Sequence, residues 1–259
     1  MRFSYLLTEI SDKIAVVRID NPPGNSLSGE LLMNLDNCMK ELDQDKNVKI
    51  IIITGKGRLF ASGADINEMG KCKTAIQAKK MSQLGQKVFL NIENSSKPVI
   101  AAINGFCLGG GLELALSCHI RIASENSVFG MPEIYLGMIP AFGGSYRLPR
   151  VVGTSRAMQM ILTGDKINSE DAMAIGLVSM IFPKKTLLTE VKKIAEKMTG
   201  RSSASIRLAL RSVFLSIGKD IETAMEIESS GVGELYEMHD LKEGVFAFLE
   251  KRKPNFTDF

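Results

Sequence analysis

Histidine and cysteine are scarce in this chain of 259 residues, with two of the first and four of the second. With only His119 and His239, catalysis of the Ser–His–Asp kind has little to draw on. His119 falls within a strand pattern, the setting of a hydrogen-bonded core histidine, and His239 precedes an acidic, solvated turn. Cys38, Cys72, Cys107 and Cys118 form no C-x-x-C pair, which argues against both a zinc site and a disulfide scaffold. Four free thiols suit a reducing compartment. No apolar run approaches the ~20 residues of a membrane span. The N-terminal stretch "MRFSYLLTEISDK" lacks a long apolar segment and is too acidic for a transit peptide, so the expected location is the cytoplasm. Charge is nearly balanced: the net value is +3 and the Lys and Arg are dispersed, unlike the concentrated basic face of a nucleic-acid binder.

Nucleotide-phosphate motifs are missing too. The run Gly109-Gly110-Gly111-Leu112-Glu113-Leu114 fails G-x-G-x-x-G because its sixth residue is leucine. Gly105 to Gly111 fails the P-loop, which ends in Gly-Lys-Ser/Thr. Whatever chemistry occurs here rests on carboxylates and backbone.

The apolar share of 45% and charged share of 24% are those of an ordinary globular protein, and the length suits one large domain with or without an appendage. "IAVVRI" (14–19) is a short apolar strand. Ser28 caps a helix that carries Leu31, Leu35, Cys38 and Leu42 on one face. "VKIIIITG" (48–55) is a strand buried on both faces. Thr74 and Gln77 form a capping box for a helix with the stripe Ile76, Leu84, Val88 and Ile92. Then come a strand at 97–103, a glycine loop and a helix from Gly111. Short strands follow at 119–123 and 128–130, then a helix closed by Gly164. A second helix, capped by Ser169 and stopped by Gly176, leads to a strand at 177–182. Beyond Leu187 the pattern is helical at 186–199, 202–217, 219–239 and 241–252, with Asp240 and Glu243 as a capping box for the last. The result is an α/β core of strand–turn–helix units over residues 1–198 and a helical region over 199–259.

Two acids stand among apolar residues. Glu113 lies in "LELAL", in the first turn of a helix opened by three glycines, and Glu133 lies in "FGMPEIYLG". A glycine turn at a helix N-terminus presents free N–H groups to an anion, or to an oxyanion formed during reaction; close packing would also select glycine. Two carboxylates in a dry site can divide the work of base and acid. The tight loop "RLFASGADINEM" (58–69), after a buried strand, can offer a second N–H to the same oxyanion. Met69, Met81 and Leu84 are candidates for an apolar pocket lining, although methionine equally fills core gaps.

Taken together, "FASGADINEM", "KPVIAAINGFCLGGGLELALSC", "FGMPEIYLGMIP", "GGSYRLPRVVG", "ILTGDKINSEDAMAIGLV" and "FLEKRKPNF" resemble the crotonase (enoyl-CoA hydratase/isomerase) superfamily, and its hydratase branch closely. The motifs run in family order from about Ile14 to the C-terminus. The resemblance implies an α/β spiral of repeated ββα units, a C-terminal all-helical trimerisation region, and a homotrimer or a homohexamer of two trimers. It implies an acyl-CoA thioester as substrate, with no metal or redox cofactor; the dispersed charge and short apolar runs give no expectation of a nucleic-acid or membrane partner. Carried over by motif, Glu113 and Glu133 match the catalytic glutamates, and Ala64 and Gly110 the backbone donors of an oxyanion hole. Arg58, Ala61, Asp65, Ile66, Phe248 and Lys251 match substrate or CoA contacts, the last two in a neighbouring subunit. Two departures stand out: "DNPPGNSLS" has no basic residue, and Asn67 replaces a common lysine.

The expected reaction is reversible syn addition of water to a trans-2-enoyl-CoA, giving a 3-hydroxyacyl-CoA. A 3-enoyl-CoA to 2-enoyl-CoA isomerase is the nearest alternative, needing only one acid/base, and dehydratase variants share the glutamate pair. Alternatives of other classes are an RNA-binding homologue, for which "KCKTAIQAKK" (71–80) is the one candidate basic segment, and an inactive acyl-CoA scaffold.

Overall fold

The computed structural model describes residues 3–258; Met1, Arg2 and Phe259, which the two expected spans include, lie outside the described residues. Strands β1 (Leu6–Ser11) and β2 (Ile14–Ile19) form a hairpin and lead to α1 (Gly29–Gln44). Next come β3 (Ile50–Gly55), β4 (Leu59–Ala61), α2 (Ile66–Gly70) and α3 (Ala75–Glu93). β5 (Val99–Ile103), β6 (Phe106–Leu108) and α4 (Gly110–Ser117) repeat the unit. β7 (Ile120–Ser124) and β8 (Val128–Gly130) enter a 3₁₀ turn (Pro132–Leu136), then α5 (Gly144–Val152) and α6 (Thr154–Thr163). β9 (Lys166–Asn168), α7 (Ser169–Ala174) and β10 (Met180–Phe182) precede α8 (Leu187–Thr199), α9 (Ser203–Ser216), α10 (Ile221–Tyr236) and α11 (His239–Leu249).

Two sheets result. One runs β1-β2-β3-β5-β7-β10 and the other β4-β6-β8-β9. β3, β5 and β7 neighbour one another in parallel in the first, as β4, β6 and β8 do in the second. Each turn of chain therefore adds one strand to each sheet before its helix, which is a spiral of ββα units. The isoleucine run shows why the first sheet holds. Ile51 and Ile53 enter the large core beneath α1 and α3, while Ile50 and Ile52 face Leu187, Val191 and Ala195 of α8. Side chains alternate across a strand, so a run apolar at every position belongs between two layers.

Several elements differ from the sequence expectation. β4, β6 and β9 have three residues each, too few for a periodicity, and β1 is largely exposed. The strand expected at 177–182 starts at Met180, because the N–H groups of Leu177 and Val178 both turn back to the Ala172 carbonyl. The cap of α7 is Asn168, whose side chain accepts from the Asp171 N–H at 2.8 Å; the Ser169 hydroxyl donates instead to the Glu125 carbonyl. Ser28 and Thr74 cap α1 and α3 as expected. Ile76 is exposed, because the first turns of α3 project beyond the core and its buried stripe starts at Gly85. The Asp240–Glu243 capping box does not form. Asp240 is buried and accepts from the Thr257 and Asp258 N–H groups, while Glu243 takes Arg252 and the Asn255 N–H, since the C-terminal segment folds back over the start of α11.

Candidate active site

Two loop ends meet above α4. Gly109 precedes the helix with φ +49°, a left-handed conformation that favours glycine, and its N–H donates to the Gly130 carbonyl at 2.9 Å. That bond ties the end of β6 to the end of β8, from which Met131, fully buried, launches the 3₁₀ turn carrying Glu133. Gly110 and Gly111 begin α4, where N–H groups have no partner within the helix. Gly111 packs on the Ala61 carbonyl, closer than a side chain at that position would permit.

The loop after β4 supplies the second donor. Leu27 donates to the Gly63 carbonyl and accepts from the Asp65 N–H, at 2.8 and 3.2 Å. This parallel bridge takes up the neighbours of Ala64 and turns the Ala64 N–H the other way, toward α4. A β-carbon on Gly110 would stand 3.1 Å from the Ala64 nitrogen, so the two turns abut. Among the described residues neither the Ala64 nor the Gly110 N–H meets an acceptor.

Glu113 projects from α4 into this space. Every residue of α4 is buried, and one carboxylate oxygen, Oε1, accepts the N–H groups of Phe142 at 2.8 Å and Gly144 at 2.6 Å. Burial pushes the Glu113 carboxyl up to about 7; the Gly144 N–H opposes the shift, the nearby Glu133 adds to it, and Phe142 and Arg147 oppose it further. Burial likewise raises Glu133, whose Oε2 is enclosed without a hydrogen-bond partner among the described residues. Glu113, Glu133, Ala64, Gly110 and Ile66 line one cavity of about 130 Å³. Met69, Leu136, Met138, Ile139 and Phe142 make its apolar wall. An apolar-walled cavity holding two carboxylates and two unpaired N–H groups is equipped to move protons beside a developing oxyanion.

The other expected contacts are placed differently. Ala61 is fully buried, packs beneath Gly111 and does not line the cavity. The Asp65 carboxylate caps α2 through the Asn67 and Glu68 N–H groups. Arg58 is exposed on the loop between β3 and β4, and Phe248 and Lys251 are exposed at the end of α11, all away from the cavity lining. Met81 and Leu84 do not line it; the residues after Glu133 take that place. Asn25, in the segment without a basic residue, is buried and donates to the carbonyls of Lys56 and Leu59, which shapes the loop ahead of Ala64.

Phe142 and the Gly143-Gly144 pair were not singled out by spacing. Their signal is the same as at Gly109 to Gly111, a glycine pair opening a helix, but only the fold shows that its N–H groups face a carboxylate. His119 is a satisfied core residue: Nδ1 accepts the Val99 N–H at 2.8 Å and Nε2 lies 3.2 Å from the Glu93 carbonyl. The lysines of 71–80 lie on an exposed face. Among the described residues no group of three or more His, Cys, Asp or Glu could hold a metal ion, and no helix is long and apolar enough to cross a membrane.

The enoyl-CoA hydratase/isomerase family model matches residues 9–259. The chain is 43% identical over 258 residues to the crotonyl-CoA hydratase of Syntrophomonas wolfei, with 99% of each chain covered. It is 41% identical over 255 residues to the short-chain-enoyl-CoA hydratase of Clostridium acetobutylicum, covering 98% of this chain and 97% of that one. Among solved structures, the enoyl-CoA hydratase of Bacillus anthracis superposes with a TM-score of 0.94 at 32% identity, covering 99% of this chain and 100% of the other.

Proposed function

The chain belongs to the enoyl-CoA hydratase/isomerase family and is an enoyl-CoA hydratase; from that premise we propose how its cavity adds water to a short-chain trans-2-enoyl-CoA. The observation that carries the reading is the convergence of Glu113, Glu133 and the N–H groups of Ala64 and Gly110 on one apolar cavity. The thioester carbonyl accepts from those two N–H groups. Negative charge grows on its oxygen as water attacks C3, so both donors act most strongly in the transition state, with the α4 dipole behind them.

Glu113 takes the proton from water and Glu133 delivers one to C2, in the syn sense that the family resemblance implies. Their hydrogen bonding differs: two N–H bonds favour an ionised Glu113 against the burial that raises its carboxyl to about 7, while Glu133 Oε2 has no donor among the described residues. This chemistry calls for neither a metal nor a redox cofactor. The small cavity and the short-chain relatives support a short acyl group. A homotrimer or homohexamer completes the reading, supported by the exposed Val232, Phe246, Phe248 and Leu249 on α10 and α11. Phe248 and Lys251 then reach the CoA of a neighbouring subunit, and Arg58, on the exposed loop after β3, contacts a CoA phosphate outside the cavity. The four free thiols support a cytoplasmic location.

Loss of the conjugated absorbance of crotonyl-CoA tests the reading. Wild type is expected to hydrate it, and Glu113→Gln and Glu133→Gln each to lose at least about 10²-fold in kcat. Full activity in either variant overturns the two-glutamate mechanism. Turnover of a 3-enoyl-CoA without hydration would make the enzyme an isomerase.

A further inference from the structure

The turn that holds Glu113 is itself held by a buried ion pair. Arg147 on α5 is 7% exposed. Its Nε and Nη2 donate to Oε2 of Glu93 at 3.1 and 2.7 Å, and its Nη1 donates to the Phe142 carbonyl at 3.2 Å. Phe142 is thus gripped from both sides: its N–H goes to Glu113 and its C=O to Arg147. The backbone N–H of Arg147 returns to the Gly143 carbonyl at 3.0 Å. A β-carbon on Gly143, at φ +109°, would run into Nη1, so the guanidinium approaches the turn end-on through that nitrogen. Glu93, at the end of α3, is 54 residues away in sequence.

Neither Arg147 nor Glu93 lines the cavity, and the hydration chemistry uses neither. A buried ion pair is also a poor source of stability, because desolvation offsets its attraction. What this pair does supply is direction. A guanidinium fork satisfied by a carboxylate and one carbonyl leaves the Phe142 peptide a single orientation.

We propose that Arg147, locked by Glu93, is a positioning residue for Glu113: it holds the Phe142–Gly144 turn in the orientation from which two N–H groups fix one carboxylate oxygen. The proposal rests on the reading of Glu113 as the base. Without the fork the turn relaxes, Oε1 loses its anchors, and the free oxygen no longer faces the water.

A double-mutant cycle on crotonyl-CoA hydration decides the matter. Arg147→Met keeps the long stem and removes the fork. It is expected to lower kcat about 10- to 100-fold, the scale of a misplaced catalytic group, while KM moves less than about twofold. Arg147→Lys, with one donor direction left, is expected to recover part of kcat. In a Glu113→Gln background Arg147→Met is expected to cost nothing further, because the group it positions is gone. An equal loss in both backgrounds overturns the proposal, as does wild-type kcat in folded Arg147→Met. If Arg147→Met does not fold, the cycle is run with Glu93→Gln, which keeps an oxygen for the guanidinium. A kcat loss that vanishes in Glu113→Gln supports the proposal, and an unchanged kcat or a persistent loss overturns it. Full activity of Glu113→Gln alone would instead remove the reading of Glu113 as base, a result separate from either arm of the cycle.

Discussion

A β-carbon on Gly109 would stand 2.7 Å from Oε1 of Glu133, so the glycine that opens α4 also makes room for the second carboxylate. Gly109→Ala is therefore expected to displace Glu133 and lower kcat by about 10²-fold, the cost of an ångström-scale misplacement. Gly57→Ala is the control. Gly57 has φ +81° but nothing within 4 Å of a β-carbon, so it tests backbone strain without contact. It is expected to lose about 1–2 kcal/mol of stability and no activity. Equal kcat losses in the two variants would refute the contact argument.

Gly110→Ala places a methyl group 3.1 Å from both the Ala64 nitrogen and Cδ2 of Phe142, in the space assigned to the thioester oxygen. The expected loss in kcat is about 10²- to 10³-fold, as for removal of one oxyanion donor. Steady-state kinetics alongside thermal melts checks this: a variant that melts like wild type and still turns over at full rate would rule out an oxyanion site there.

The ring of Phe142 lies in the hollow left by Gly85 on α3 and meets Phe89 edge-on, with centroids 5.7 Å apart. Gly85→Ala puts a β-carbon into that ring and is expected to cost about 1–3 kcal/mol by overpacking. Because the Phe142 N–H holds Glu113, kcat should fall as well. Trimming the ring in Gly85→Ala/Phe142→Leu is expected to restore much of the stability. Denaturant unfolding gives the answer, and a double variant no more stable than Gly85→Ala would count against the packing account.

The raised carboxyl of Glu113 makes a pH prediction whose sign follows from linkage. Its value moves from an ordinary 4.5 when unfolded to about 7 when folded. Folding then favours the protonated form. The associated stability is fully present below pH 4.5 and is lost as pH rises through about 7, a loss of about 3 kcal/mol. Glu113→Gln keeps an oxygen for the two N–H groups without the buried charge. It is expected to be more stable than wild type at pH 8 and comparable near pH 4. For activity the sign is opposite, since an ionised base is needed: kcat/KM of wild type should fall below pH of about 7. Melting temperatures and kcat/KM across pH 4 to 9 check both halves of the prediction.

Light scattering coupled to size-exclusion chromatography should show three or six chains per particle. Replacing Phe246 and Phe248, both exposed on α11, with aspartate is expected to dissociate it, since charge on an apolar face opposes burial. A wild-type particle of one chain would remove the proposed role of Phe248 and Lys251.

Much of the core was legible along the chain. Strands β2, β3 and β5 follow from β-branched runs, α1 and α3 from their caps, and α8 to α11 from helical periodicity. The three-residue strands were not legible, because a pattern of period two needs more residues than they have. Asp240 and Glu243 had the spacing of a capping box, yet a segment some 15 residues further on claimed both side chains.

By itself the sequence determined which groups are available for chemistry: two carboxylates among apolar residues, glycines at a helix start, and too little histidine or cysteine for other mechanisms. Composition and motif settle this, because they decide which side chains exist and which local turns are allowed. The tertiary structure alone decided which of these groups meet. Ala61, adjacent in its motif to the loop that supplies Ala64, is buried under Gly111, whereas Phe142 and Gly144, about 30 residues from Glu113, hold its carboxylate. A site whose parts come from three turns of a spiral depends on packing between turns, and packing is written in no single stretch of chain.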